Sequence, residues 1–418
     1  MIGKNDAQYA YDIVERICTE VGPGLPGSSQ EHARAHILQK ELESNLGAGR
    51  VTTENFTMAP IALLGWLPAG AVLILFSALL NISIGRIGAV SPWISSGLSL
   101  AFSVITVLTA VLQFIFYHEF AEPFFEKKES VNVIGTLRKP DTGDVKRLLI
   151  LAGHHDSAPE MTWLRFLGYG YYFAVPTLFI GFITMLVYSI IQFTGLIAAN
   201  ARIVQTGTLG YIPLIYPVIP SIIFAVFFNR GTKGGGNVPG AADNLSASAL
   251  VVSLCRFLLQ NPSYVPDHTE IRFISFGSEE AGLRGSRRYV ERHLDELKRL
   301  DARLLNLETI THPEISILTS DVNGTVKNSP EMVRIVAAAA DRAGVPYKIK
   351  PFPFGGGGTD AGSFSKAGLK ATTLLPFKVP QQMVAFYHQK WDAPDVLTLE
   401  PLLNVLKLAF EWVRSGGE

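Results

Sequence analysis

The sequence predicts a three-layer α/β domain with a mainly parallel mixed sheet, interrupted by two transmembrane helical hairpins. Short β-rich segments alternate with amphipathic helical segments over much of the chain, which is the pattern of an α/β fold. Long charge-free intervals break this alternation twice. The composition, 48% hydrophobic and 17% charged with a mean hydropathy of +0.26, is more apolar than that of ordinary soluble domains.

Charge and cysteine content exclude some classes of partner. The formal net charge is zero and no basic run occurs, so we expect no nucleic-acid partner. Cys18 and Cys255 each lie in a predicted amphipathic helix, where we expect small buried residues and not a disulfide or a metal site. The first 20 residues predict an amphipathic helix without the apolar core of a signal peptide, so we expect no cleaved leader.

Four charge-free intervals predict membrane helices. Each contains the roughly 20 apolar residues that a bilayer-spanning helix needs. The alternative, buried helices of a large soluble core, is disfavoured because four such intervals are hard to cover with protein. The predicted spans lie near residues 61–82, 97–117, 169–193 and 208–228, in hairpins at 59–118 and 166–230. The remaining segments, 1–58, 119–165 and 231–418, then form one α/β domain.

The strands and helices of this domain follow from hydrophobic periodicity. Predicted helices cover Gln30–Asn45, Ser246–Gln260, Arg284–Arg299, Glu331–Ala343 and Glu400–Ser415. Predicted strands have the sequences VTTENFTM, SVNVIGTL, RLLILAG, IRFISFG, ARLLNLETI and ATTLLPF.

Acidic and histidine residues follow several of these strands. Glu279 and Glu280 end IRFISFGSEE, where one carboxylate could bind a metal while its neighbour takes a proton from water; the alternative is a solvated acidic turn. His154 and Asp156 end LLILAGHHDS, as a metal ligand with a supporting acid or as polar-turn residues.

Three further residues have both a ligand interpretation and an ordinary one. Asp243, after the small-residue run GGGNVPGAA, is either a helix N-cap or a metal bridge. Glu308 is a ligand or an exposed acid at a strand end, and His388 is a ligand or a hydrogen-bonded loop histidine. Because the carboxyl ends of parallel strands share one edge of a sheet, we expect these side chains to converge.

As an ordered series, these motifs resemble the M28 family of di-zinc peptidases, which includes aminopeptidases, glutamate carboxypeptidases and glutaminyl cyclases. HHDS resembles the family's His-x-Asp-Ser, and GAADNLSASA its Gly-Ala-x-Asp-Asn-x-Ser-Gly. SEEAGLRGS resembles Glu-Glu-x-Gly-Leu-x-Gly-Ser, and FYHQKWD resembles Tyr-His-x-x-x-Asp. The resemblance covers residues 5–57 and about 129–415. Two departures are Glu308, where many members have Asp, and the membrane spans inserted between motifs.

The resemblance implies a two-zinc site with a role for each residue. His154 and Glu308 would bind one Zn²⁺, Glu280 and His388 the other, with Asp243 as the bridge. Glu279 would be the general base, Asp156 a support behind the metals, and Tyr387 a hydrogen-bond donor to the oxyanion. Asp360, in GGGGTDAGSF, would cap a helix that lines the substrate pocket. The peptide bond between Asp243 and Asn244 would be cis.

Together, the predicted membrane spans and the family resemblance imply a membrane-embedded zinc aminopeptidase that hydrolyses N-terminal residues of peptides. One alternative is glutaminyl cyclisation, an acyl transfer that uses one zinc on the same scaffold. Another is a non-catalytic receptor or transporter that has lost the chemistry. The sequence does not specify the physiological substrate or the oligomeric state.

Basic residues predict the side of the membrane on which the α/β domain lies. An even number of spans places its three segments on one side, with only Arg86 and Arg202 in the two short hairpin loops. Lys127, Lys128, Arg165, Arg230 and Lys233 flank the spans on the side of the α/β domain. This excess favours an integral membrane protein with a cytoplasmic α/β domain. The short connections from His154 into the third span and from the fourth span to Asp243 also predict a pocket that faces the lipid bilayer.

Overall fold

The computed structural model describes residues 2–83, 91–140, 143–200, 238–353 and 355–418. Its chain divides into two compact units. The first comprises Met1–Pro60, Glu126–Glu160 and Gly231–Glu418, and the second comprises Ile61–Phe125 and Met161–Arg230.

The first unit contains an eight-stranded mixed sheet. Its strands are β1 (Val51–Met58), β2 (Lys128–Arg138), β3 (Arg147–His154), β4 (Thr269–Phe276), β5 (Arg303–Leu307), β6 (Ile315–Leu318), β9 (Tyr347–Lys350) and β10 (Lys370–Leu375), and β7 (Ser320–Asp321) pairs with β8 (Val326–Lys327) in a separate ribbon. The order across the sheet is β1-β2-β4-β3-β5-β10-β6-β9. The four neighbours β4, β3, β5 and β10 are mutually parallel, so their carboxyl ends share one edge.

Helices cover both faces of this sheet. On β3, Leu149 and Leu151 join the core on one face, and Leu148 and Ile150 join the core on the other. Alternate residues of a strand point to opposite faces, so a fully buried strand of this kind is central in a three-layer fold. The first core is completed by α1 (Lys4–Glu20), α2 (Ser29–Leu46), α8 (Ser246–Gln260), α10 (Pro330–Ala343) and α13 (Leu399–Arg414), and the second by α9 (Arg284–Arg299) and α11 (Ala361–Lys366).

The three-layer architecture and the mainly parallel mixed sheet are confirmed. The sequence did not predict β6 and β9, which are four residues long and extend the sheet to one edge. β9 carries Lys348 and Lys350 and is half-exposed. A short charged strand is typical of a sheet edge but has little hydrophobic periodicity.

The second unit is helical. Its helices are α3 (Ala62–Gly65), α4 (Leu67–Ser83), α5 (Pro92–Thr109), α6 (Thr162–Leu167) and α7 (Tyr171–Ile197), and α5 continues into a π-helical turn, Ala110–Ile115. Large apolar side chains face outward on each long helix, among them Phe76, Ile105 and Ile183, which are 49–54% exposed. Soluble proteins rarely expose so many large apolar side chains together, whereas helices that face lipid commonly do.

A buried polar cluster joins the long helices of the second unit. Its members are Ser77 and Asn81 of α4, Ser99 and Ser103 of α5, and Ser189 of α7. The Ser77 hydroxyl lies 2.7 Å from that of Ser99 and 2.8 Å from that of Ser103, and Asn81 Nδ2 donates to Ser99 Oγ at 2.6 Å. Small residues allow close approach of membrane helices, and hydroxyl groups bond between them.

Four helices in the described part of the chain are long and apolar enough to cross a membrane. Three belong to the second unit: Ala62–Ile82, Pro92–Ile115 and Thr162–Ile197. The fourth, Ala241–Gln260, includes α8, and 89% of its apolar window is buried against the sheet and α1, so it is a core helix. The span predicted at 208–228 lies outside the described residues.

Candidate metal centre and active site

The predicted site residues converge at the carboxyl edge of the central parallel strands. His154 is the last residue of β3, and Glu308 directly follows β5. Glu279 and Glu280 follow β4 after a two-residue turn, and Ser278 in that turn has a φ of +52°. Asp243 precedes α8, and His388 follows the short helix α12 (Gln381–Ala385), which lies between β10 and α13.

Asp243 lies between the two histidines. Its Oδ1 atom is 3.4 Å from His154 Nε2, and its Oδ2 atom is 3.0 Å from His388 Nε2. Glu308 Oε1 is 3.6 Å from His154 Nε2, and Glu280 Oε1 is 3.1 Å from His388 Nε2. Each histidine is therefore grouped with one glutamate, and one oxygen of Asp243 belongs to each group.

These donors fit metal ions. Ligands about 2.0–2.2 Å from a tetrahedral ion lie roughly 3.3 Å from one another, close to the separations found. Glu308 Oε2 is buried with no hydrogen-bond partner among the described residues. Asp243, Glu279, Glu280 and Glu308 are at most one-tenth exposed, and two divalent cations would balance the charge of four ionised carboxylates buried this close together. Imidazole and carboxylate donors suit zinc.

Glu279 is positioned as a neighbour of this donor set. Its Oε2 atom lies 3.7 Å from His154 Nε2. Burial raises its pKa well above the usual value, and the negative charges of Glu280, Glu308 and Asp360 act in the same direction against the opposing effect of His154. A carboxylate beside a metal site can take a proton from a metal-bound water.

Asp156 supports the two acidic residues through the backbone. Its Oδ1 atom accepts from Glu279 N at 3.0 Å and its Oδ2 atom from Glu280 N at 3.0 Å. The same carboxylate lies 3.3 Å from His154 Nδ1. Asp156 thus contacts the segments that carry a histidine and both glutamates.

Asp392 makes an equivalent contact with the Asp243 segment, and the sequence interpretation gave it no role. Its two oxygens accept from Ala242 N at 2.7 Å and from Asp243 N at 3.1 Å. The sequence contained a signal for this residue, because Asp392 is the last residue of the motif FYHQKWD that also contains His388. Asn244 links this segment to the segment of Glu308 by donating to Leu307 O and accepting from Thr309 N. The Asp243–Asn244 peptide bond is cis, as expected.

Tyr387 and Asp360 lie beside the acidic cluster. The Tyr387 ring stacks on that of His388, with centroids 3.9 Å apart. Burial and the nearby acidic charges raise the pKa of Tyr387 well above its usual value, so its hydroxyl remains a donor at neutral pH. Burial, opposed by the positive charge of His154, raises the pKa of Asp360 to about 7.

The prediction that Asp360 caps a helix is wrong. Asp360 stands at the N-cap position of α11, but its side chain makes no capping hydrogen bond. Its φ of −58° and ψ of −25° are helical, whereas a capping residue normally has an extended backbone that directs its side chain to the free N–H groups.

A family model matches the part of the chain that carries most of this donor set. Residues 229–413, which include Asp243, Glu279, Glu280, Glu308 and His388, match Peptidase family M28. This carboxyl-terminal segment is therefore similar to M28 peptidases. The chain is 30% identical over 167 residues to Aminopeptidase YwaD of Bacillus subtilis (strain 168). That match covers 39% of this chain and 35% of the relative, so it spans about a third of the relative's length.

Solved structures share the fold of this chain. BSAP, a zinc aminopeptidase from Bacillus subtilis, has a TM-score of 0.54 at 16% identity, with 98% of this chain and 94% of that chain covered. An aminopeptidase from Aneurinibacillus sp. strain AM-1 gives 0.53 at 16% identity, covering 97% and 92%. A glutaminyl cyclase from an Acidobacteriales bacterium gives 0.54 at 13% identity, covering 98% and 94%. These likenesses show the fold alone.

We expect Asp392→Asn to weaken zinc binding by about 10- to 100-fold, as loss of a residue that orients metal ligands commonly does. The amide oxygen can accept one of the two backbone N–H groups, but the amide nitrogen would face the other. Zinc affinity is measured by competition with a chromophoric chelator. The matched control is Asp395→Asn, at an exposed position three residues away. Wild-type affinity in D392N would contradict the supporting role.

Proposed function

We propose that this chain is a membrane-bound M28-type zinc aminopeptidase that removes N-terminal residues from peptides. The observation that carries the proposal is the position of Asp243, with one oxygen facing each histidine and a glutamate beside each. This arrangement provides donors for two ions, with His154 and Glu308 on one side and Glu280 and His388 on the other.

The chain's own residues account for the movement of protons. Two zinc ions, when bound, would supply Lewis acidity that makes water a nucleophile at neutral pH and polarises the scissile carbonyl. Glu279 would take the proton of the attacking water and deliver it to the departing amine. The Tyr387 hydroxyl would donate a hydrogen bond to the carbonyl oxygen as negative charge develops there.

The experiment uses the full chain purified in detergent. Short peptides with free N-termini should lose their first residue, and the same peptides with acetylated N-termini should not. A zinc chelator should abolish release and added Zn²⁺ should restore it. Cleavage of acetylated peptides at internal bonds would contradict an aminopeptidase, and chelator-resistant release would contradict the metal.

Glutaminyl cyclisation is the second candidate, because solved glutaminyl cyclases share this fold at similar TM-scores. Donors for two ions favour the peptidase over a reaction that uses one zinc. Ammonia release from N-terminal glutaminyl peptides, without release of free amino acids, would favour the cyclase. A non-catalytic receptor or transporter is disfavoured because every predicted donor is present at the site.

We also propose that the second unit spans the lipid bilayer and that the first unit lies in the cytoplasm. The support is the length and apolar exterior of the described helices, together with the excess of basic residues near the spans on the side of the first unit.

Single cysteines would test this topology in a variant with Cys18 and Cys255 replaced by alanine. Ser91→Cys and Asn200→Cys lie at exposed ends of the two hairpins and should react with a membrane-impermeant maleimide in intact cells. Ser44→Cys, at an exposed position of α2, should react only after lysis. Labelling of S44C alone in intact cells would place the first unit outside.

A further inference from the structure

Two residues of helix α2 with ionisable side chains contact the backbone segments that carry the candidate metal centre. Glu31 and Arg34 lie three positions apart on one face of the helix, and both are fully buried. Burying charged groups is costly, and an amphipathic helix can pack with apolar residues alone. Neither residue belongs to the predicted donor set.

Glu31 holds the turn that carries the two glutamates. Its Oε1 atom accepts from Ser278 N at 2.7 Å, from Ser278 Oγ at 2.7 Å and from Ser130 Oγ at 2.9 Å. The three consecutive N–H groups of Ser278, Glu279 and Glu280 therefore all donate to buried carboxylates. Ser278 N donates to Glu31, and the N–H groups of Glu279 and Glu280 both donate to Asp156. Ser278 has a φ of +52°, which a residue with a side chain adopts only where its surroundings hold it.

A local role does not account for Glu31. Ser28 caps α2 by accepting from Glu31 N, and Glu31 Oε2 accepts from Gly27 N at 2.6 Å, which resembles a capping box. Exposed glutamates perform that role in ordinary helices. In this chain the other oxygen, Oε1, accepts from Ser278 N, which is 247 positions away in the sequence. Ser278 is part of the turn that carries Glu279 and Glu280.

Arg34 binds carbonyl oxygens of three separate segments. Its Nη1 atom donates to His155 O at 3.1 Å, its Nη2 atom to Pro239 O at 2.6 Å, and its Nε atom to Gly22 O at 2.9 Å. His155 follows the ligand His154, and Pro239 begins the segment that leads to Asp243. In the described part of the chain, no ion pair of Arg34 with a carboxylate is found, so its contacts are with backbone.

Close packing around Arg34 supports a fixed geometry. A Cβ atom added to Gly24 would lie 2.7 Å from Arg34 Cδ and Nε. Gly240 has a φ of +66°, and a Cβ atom there would lie 2.7 Å from Asp243 O and 3.5 Å from Arg34 Nη1. The backbone thus approaches both the guanidinium and the bridging residue closely, which glycine permits.

The geometry points to Glu31 and Arg34 as positioning residues for the metal centre, Glu31 for the Ser278–Glu280 turn and Arg34 for the segments of His154 and Asp243. The expected loss of zinc affinity rests on the proposed function. The hydrogen bonds of Glu31 and Arg34 do not depend on which reaction occurs. The two residues touch backbone that carries ligands and no ligand side chain.

The test separates fixed geometry from charge. Arg34→Lys keeps the positive charge but cannot donate to three carbonyls in fork geometry, and Glu31→Gln keeps the shape but loses acceptor capacity. Both should weaken zinc binding by about 10- to 100-fold in competition with a chromophoric chelator. The matched controls, Lys40→Met and Glu43→Gln, lie on the same helix away from the site and should leave zinc affinity unchanged.

Hydrogen exchange of the zinc-free full chain in detergent gives a readout that is independent of activity and metal. E31Q should raise exchange in peptides covering 277–281, and R34K in peptides covering 238–243, while peptides covering 399–414 in α13 remain as in the wild type. A merely structural role would raise exchange in all three regions.

Unchanged exchange in both variants, or a uniform rise that includes α13, would overturn the inference. Wild-type zinc affinity in R34K with reduced affinity in Arg34→Met would show that charge alone matters, which also overturns it. If the wild-type chain binds no zinc, the proposed function fails and the exchange pattern alone decides the positioning role.

Discussion

Replacing Glu279 by glutamine should lower kcat for peptide hydrolysis by about 10²- to 10⁴-fold, the usual contribution of a general base. The amide has the shape of the carboxylate but cannot take a proton from water. Asp156 holds the backbone of residue 279 and not its side chain, so the turn should keep its conformation. Zinc content, measured by elemental analysis, should therefore stay near that of the wild type.

The control for this variant is Glu291→Gln, at an exposed position of α9. It removes the same charge from the surface and should leave both kcat and zinc content unchanged. Wild-type turnover in E279Q would exclude Glu279 as the base. Loss of zinc together with turnover would instead indicate that Glu279 is a ligand.

Replacing Asp243 by asparagine should have a different effect, which is loss of metal. Asp243 offers one oxygen towards each histidine, and asparagine keeps only one, because its amide nitrogen is not a metal ligand. We expect fewer than two zinc ions per chain by elemental analysis and a lower Tm, since metal bound only to the folded state stabilises it.

Asp267→Asn is the matched control, because Asp267 is an exposed acid far from the site in sequence and pairs with Lys139 at the surface. Its zinc content should equal that of the wild type. Wild-type zinc content in D243N would contradict the bridging role. Together, E279Q and D243N separate a residue that moves a proton from one that holds metal.

The sequence by itself determined most of the local structure. Hydrophobic periodicity placed β1 at residues 51–58 and α9 at Arg284–Arg299, as the structure has them. The positions of acids and histidines after successive strands predicted their convergence, because parallel strands align their carboxyl ends. Charge-free length predicted the long helices of the second unit. These features depend on neighbours along the chain, which a sequence displays directly.

Only the tertiary structure decided which residues support the site and which apolar helix is internal. Asp392 binds the N–H groups of residues 149 and 150 positions away, and Glu31 reaches Ser278 across 247 positions. No local pattern encodes such partners, because an isolated acidic residue looks the same whether it meets water or a backbone amide. Likewise, Ala241–Gln260 is as long as a membrane span and apolar enough to be one, yet 89% of its apolar window is buried beside the sheet. Apolarity makes a helix avoid water, and its tertiary neighbours decide whether lipid or protein replaces that water.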